Sequence, residues 1–242
     1  MQKVLAYILT PIFLFFFVLT LLVFHPIQVF CHNLIGYSAH GFSVALMNRT
    51  LMLCTNLLGT RYTFINKNKL PTDRPIILVA NHQSMFDIPP IIWHMRKYHP
   101  KFVSKKELGK GIPSVSYNLR HAGSVLIDRT NNKQALTEIA KLGRYIEKHK
   151  RSAVIFPEGT RSRNGQPQHF RTTGLKILMK TAPSAIIVPI SINNSWKLLR
   201  YGKFPMGIGS HLKFFVHPPM ERTENSDDFI TQIEDKVVSY IK

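Results

Sequence analysis

His82 and Asp87 stand five positions apart in Val79-Ala-Asn-His-Gln-Ser-Met-Phe-Asp-Ile-Pro-Pro90, where an apolar run gives way to two prolines. Imidazole is the side chain whose protonation changes nearest neutral pH. A carboxylate holding one ring nitrogen would leave the other free to act as a base. On a regular helix a five-residue step turns about 500°, so the two side chains would diverge. They can meet only if His82 sits in a strand-to-helix turn with Asp87 near the helix start, where Pro89 and Pro90 fit the first turn. A turn histidine beside a helix-capping aspartate would look the same in sequence.

A second segment, Ala153-Val-Ile-Phe-Pro-Glu158-Gly-Thr-Arg161-Ser-Arg163-Asn-Gly165, runs an apolar strand into a glycine turn carrying hydroxyls and two arginines. Arginine offers bidentate hydrogen bonds to an oxyanion, and glycine lets backbone N–H groups approach closely. Glu158 beside Arg161 suggests an ion pair that fixes the arginine fork. Gly123-Ser-Val-Leu-Ile-Asp-Arg129 is another strand ending in arginine, and Ile187-Val-Pro-Ile190 a further apolar strand. Either arginine could equally be an ordinary surface residue.

Other chemistries lack their residues. There is no HExxH, no GxxxxGK[ST] and no GxSxG; Gly36-Tyr-Ser-Ala-His40 lacks the final glycine of the last. Two cysteines, Cys31 and Cys54, exclude a disulfide scaffold and a cysteine-based zinc site.

These segments need a scaffold that ends several strands at one edge. Apolar runs predict strands at 76–80, 102–104, 124–127, 153–156, 185–190 and 212–216. Helical periodicity predicts helices at 89–98, 132–148, 172–180 and 227–241. In the second of these, Ala135, Ile139, Leu142 and Ile146 share one face, with Lys141, Arg144 and Lys148 opposite. Strands alternating with helices give an α/β layer architecture.

The charge is unevenly placed. Residues 1–60 carry only Lys3 and Arg49, whereas the rest carries the other 30 basic residues and all 13 acids. The expected division is therefore a membrane-anchoring helical hairpin over 1–60 and an α/β domain over 61–242. Val4–Phe24 is uncharged and as a helix would be about 30 Å long, the thickness of a bilayer core. A cleaved signal would have a shorter apolar run and a small-residue cleavage site. A second helix follows Pro26, which should break the first, and runs to about Gly59. On it Gln28, His32, Gly36, His40 and Ser43 share one side, with Ile27, Phe30, Cys31, Leu34, Phe42 and Ala45 opposite. Such a helix suits a membrane interface or a cover over another protein layer. The net charge of +19 would suit nucleic acid or an anionic membrane. The charge-free N-terminus favours the membrane, with the basic body on its cytoplasmic side.

In order and spacing, NHQSMFD, GSVLIDR, FPEGTRSR and VPI resemble the four blocks of the glycerolipid acyltransferase family, most nearly its bacterial 1-acylglycerol-3-phosphate acyltransferases. The resemblance spans 79–190. It implies a mixed sheet flanked by helices, with an N-terminal membrane-associated two-helix hairpin. It also implies acyl transfer, without metal or cofactor, from acyl-CoA or acyl carrier protein to the sn-2 hydroxyl of 1-acyl-sn-glycerol 3-phosphate (lysophosphatidic acid). The product would be phosphatidic acid, made at the inner membrane. His82 would be the general base and Asp87 its orienter. Arg129, Glu158, Gly159, Thr160 and Arg161 would bind the phosphate, helped by Lys105 from the Lys-rich segment KFVSKKEL. The alternatives are a sibling enzyme acting on glycerol 3-phosphate or another lysolipid, and a membrane-anchored protein that binds lipid or nucleic acid without chemistry.

Overall fold

The computed structural model describes residues 2–223 and 226–241. In chain order its elements are α1 (Gln2–Phe30), a π-helical turn (Cys31–Ile35), α2 (Tyr37–Asn56), β1 (Arg61–Asn66), β2 (Ile76–Ala80), α3 (Ile88–His94) and β3 (Pro100–Lys105). Then follow α4 (Val115–His121), β4 (Val125–Ile127), α5 (Asn132–His149), β5 (Ser152–Ile155), α6 (Thr172–Thr181), β6 (Ile186–Asn193), β7 (His211–Val216) and α7 (Ser226–Val238).

The strands form one seven-stranded sheet in the order β1-β7-β6-β2-β5-β3-β4. Every pairing is parallel except β6 with β7, so the sheet is mixed, as expected. The central strands β2, β5 and β6 are buried along their whole length. That is why they read as unbroken apolar runs rather than alternating ones. The two faces of β2 still differ. Ile76, Leu78 and Ala80 join a core with Phe13, Leu58, Ile91 and Val188, whereas Ile77 and Val79 pack with Leu142, Leu175 and Ile233. Helices α1–α3 thus cover one face and α5–α7 the other.

Two elements lie outside the sequence expectation. Strand β1 is an edge strand with half-exposed residues and no apolar run, so nothing local marks it. Helix α4 is a seven-residue segment tied to α1, where the Ser114 hydroxyl donates to the Leu21 carbonyl at 2.6 Å.

The hairpin also turns elsewhere than expected. Pro11 and Pro26 both lie inside α1, and the chain reverses at Gly36, whose φ of +112° only glycine adopts easily. Neighbouring helix packing holds α1 together past its prolines. The wheel pattern of the second segment is correct but faces inward by its polar side. Gln28, His40 and Ser43 are buried against protein, while Ile27, Phe30, Leu34 and Phe42 are exposed. Ala45 departs from that pattern and is buried. Most of the large apolar side chains left exposed lie between Val4 and Leu57, far beyond the scattered few of an ordinary surface.

The boundary expected at residue 60 falls between α2 and β1, and the apolar core crosses it. Phe13 stands 6.2 Å and Phe17 6.4 Å, ring to ring, from Phe86, one residue before Asp87.

Candidate active site

Parallel strands β2, β5, β3 and β4 deliver their C-terminal ends to one edge: His82 follows β2, Glu158 follows β5 and Arg129 follows β4, whereas Val188-Pro-Ile190 lies within β6. Asn81 anchors the first of these segments. Its Oδ1 accepts the Ile192 N–H at 2.7 Å and its Nδ2 donates to the Ile192 carbonyl at 2.8 Å, clamping the turn to β6. The next turn is a reciprocal cap. Ser84 Oγ accepts the Phe86 N–H at 3.1 Å, and Asp87 Oδ2 accepts the Ser84 N–H at 2.9 Å.

The same oxygen accepts the Gln83 N–H and His82 Nδ1–H, each at 2.8 Å. Asp87 Oδ1 accepts the hydroxyl of Ser195, and both residues are fully buried. Four donors therefore saturate one carboxyl group. Because Asp87 can only accept here, His82 carries its proton on Nδ1, and Nε2 is the free nitrogen. The imidazole stacks on Phe156 at 4.2 Å and 19°, and its side chain is 15% exposed, enough for a reactant to reach it.

The turn after β5 wraps the backbone of this histidine. Ser162 N–H donates to the His82 carbonyl at 2.8 Å, and His82 N–H donates to Glu158 Oε1 at 3.3 Å. Glu158 is therefore not where the sequence reading put it. Among the described residues no ion pair joins it to Arg161. Its carboxyl is buried beneath the histidine turn, with Oε2 unpartnered. Burial outweighs the hydrogen bonds and pushes its pKa up to about 8.

That shift has a measurable consequence. The folded protein keeps a proton on Glu158 that the unfolded chain loses near pH 4.5, so this group's stabilising contribution is lost as pH rises toward 8. Glu158→Gln should remove that slope and be more stable than the parent above pH 8, by a few kcal/mol. Denaturation midpoints at pH 6 and 9 test this; equal slopes in both proteins would show that Glu158 is ionised throughout.

The cations stand at the rim. Arg129, Thr160, Arg161 and Lys105 are exposed; Lys105 ends β3 and pairs in register with Ile127 of β4. Arg129 is pulled below its ordinary pKa by partial burial and then by Arg161 and Arg171, so three guanidinium groups crowd one region. Gly159 has φ +70°, and a Cβ there would lie 3.2 Å from Arg171 Cδ, so the glycine lets that arginine lie close. Together these groups offer an acceptor of a proton beside a cradle for an anion. Among the described residues no three His, Cys, Asp or Glu side chains are grouped to hold a metal ion.

Sequence reasoning missed Asn81, Gln83, Arg171 and Ser195. Ser195 is 108 residues from its partner, beyond any local spacing signal. Its N–H donates to Gln83 Oε1 at 3.0 Å, a second link between the two turns.

A parallel-rich α/β sheet thus carries a histidine–aspartate turn at its C-terminal edge, with a cluster of arginines at the rim. The Acyltransferase family model matches residues 61–193, more than half of the chain, and the chain belongs to that family. It is similar to the 1-acyl-sn-glycerol-3-phosphate acyltransferase of Helicobacter pylori, 35% identical over 52% of this chain and 54% of the relative. It is also similar to the enzyme of that name from Chlamydomonas reinhardtii, 27% identical over 74% of this chain and 52% of the relative. The chain thus spans about half the length of these curated relatives. The crystal structure of the 1-acyl-sn-glycerophosphate (LPA) acyltransferase from Thermotoga maritima shares the fold, with TM-score 0.80 and 24% identity, over 100% of this chain and 96% of that one.

Proposed function

We propose that this protein transfers a fatty acyl group from acyl-CoA or acyl carrier protein to the free hydroxyl of 1-acyl-sn-glycerol 3-phosphate, yielding phosphatidic acid for phospholipid synthesis. The observation that carries the reading is His82, with Nδ1 held by Asp87 and Nε2 open, beside the cradle of Arg129, Arg161 and Arg171. The names of the relatives from Helicobacter and Chlamydomonas support that acceptor.

In this mechanism His82 Nε2 takes the acceptor's hydroxyl proton as its oxygen attacks the thioester carbonyl. A C–O bond forms, the tetrahedral adduct collapses, and the C–S bond breaks. The departing thiolate takes the proton from the imidazolium, so histidine is regenerated. Asp87 holds the tautomer and orients the ring, while Ser195 and the two backbone amides hold Asp87. Arg129 and Arg161 take the phosphate with Arg171 behind Gly159; Thr160 and Lys105 stand at the same rim. Glu158 acts from below, on the His82 backbone.

The hairpin serves as a membrane anchor on the cytoplasmic leaflet of the inner membrane, with the α/β domain over 61–242 on the cytoplasmic side. Entry into one leaflet is favoured over a full crossing. Thr10 Oγ1 accepts the Met206 N–H at 2.9 Å, and His25 Nδ1 accepts the Ser114 N–H at 3.1 Å. About 22 Å of α1 between those bonds therefore lies along the body.

The test is free-thiol release from acyl-CoA and from acyl carrier protein by the purified full chain. Release should require lysophosphatidic acid and yield phosphatidic acid. Equal or faster release with glycerol 3-phosphate would reassign the acceptor, and none with any acceptor would overturn the reading.

A further inference from the structure

A cavity of about 690 Å³ opens between α2, α3 and the first residues of β1. Its walls include Arg49, Thr60, Arg61, Trp93, His94 and His211, and no Asp or Glu. The Arg49 guanidinium lies 4.8 Å from the centre of the Trp93 ring, and that of Arg96 lies 4.2 Å from it. Among the described residues none of Arg49, Arg61 or Arg96 has a carboxylate partner. Cations gathered without a counter-charge form a site for an anion.

The surroundings identify what kind of anion. Arg49 is the only charge between Val4 and Thr60. It stands on α2 at helical spacing with Phe42, Leu46 and Leu53, all exposed. A single cation set in an exposed apolar stripe suits a molecule that is anionic at one end and apolar at the other. The site is separate from the catalytic rim. β1 and β4 are the two edges of the seven-stranded sheet, so Arg61 and Arg129 are separated by six strand spacings, roughly 29 Å.

We propose that this cavity binds the phosphate headgroup of an anionic membrane phospholipid, through Arg49 and Arg61, with the acyl chains against Leu46 and Leu53. The proposal does not depend on the acyl-transfer reading, and its test does not measure activity.

Trp196→Phe leaves Trp93 as the sole indole of the full chain. Its emission is followed while non-ionic micelles carrying phosphatidylglycerol are added, with micelles carrying phosphatidylcholine and inorganic phosphate alone as the other arms. Phosphatidylglycerol should give a saturable change. Arg49→Gln with Arg61→Gln should weaken it about tenfold or more. Arg144→Gln with Lys148→Gln, equal in charge loss on the exposed face of α5, should leave it unchanged. These side chains are exposed, so the variants keep the fold, which circular dichroism checks. An equal response to phosphatidylcholine or to inorganic phosphate overturns the proposal. So does an equal loss in the α5 variant, which would mean general charge attraction only.

Discussion

His82→Ala is expected to lower turnover by about 10²–10⁴-fold with little change in either Michaelis constant. A neutral alcohol attacking a thioester needs its proton removed, and Nε2 is the one nitrogen of the imidazole left open by Asp87. The fold should survive the change. Asp87 would keep three of its four donors, the amides of Gln83 and Ser84 and the hydroxyl of Ser195. What is lost is the hydrogen bond from Nδ1–H to Asp87 and the stacking on Phe156, together about 2–4 kcal/mol. Asp87→Asn should behave differently. If its NH₂ takes the Oδ2 position it meets N–H donors from two amides, and if its oxygen does, NH₂ meets the Ser195 hydroxyl and the tie to that serine must rearrange. This variant should therefore lose both rate and stability. Thiol-release kinetics with circular dichroism on both variants are the measurement. Near-normal turnover in His82→Ala would remove the general base from the mechanism.

That contrast marks what sequence can and cannot carry. The pair His82–Asp87 was legible because the strand end, the caps and the prolines that shape the turn are all local. Strands β2, β5 and β6 were legible because burial on both faces leaves nothing but apolar side chains. Ser195 was not, because its role arises only when β6 lies beside β2. Glu158 was misread for a related reason. Its neighbour in sequence is Arg161, but the backbone turn aims its carboxyl at the amide of His82. The hairpin break failed at Pro26 because a proline's lost hydrogen bond, about 3 kcal/mol, is smaller than the packing of a long helix against two neighbours. The inward polar face of α2 was readable as a pattern. Its direction was not, since a helix wheel does not say which side meets lipid.

Arg129→Ala should lower kcat/KM for lysophosphatidic acid about 30–150-fold, leaving the Michaelis constant of the acyl donor unchanged. The size follows from a charge-assisted, bidentate contact to a cluster of three guanidinium groups. Partial burial, and then Arg161 and Arg171, hold Arg129 below its ordinary pKa, so the three repel one another until a phosphate dianion joins them. Removing Arg129 relieves some of that repulsion, and Arg161→Ala and Arg171→Ala should each show smaller losses. Double variants should then be less than additive, as expected for residues sharing one ligand. Lysine at 129 should restore only part of the loss, because it keeps the charge without the fork. The turn itself should hold in every variant, since Asp128 fixes it through Lys106 and through Thr130, whose N–H donates at 2.9 Å. Raising the salt should raise the acceptor's Michaelis constant in the parent more than in Arg129→Ala, because these cations are exposed and screened. Steady-state kinetics with each substrate varied in turn, at low and high salt, decide the matter. A rise confined to the acyl donor's constant would move the arginine cluster from the acceptor's phosphate to the carrier.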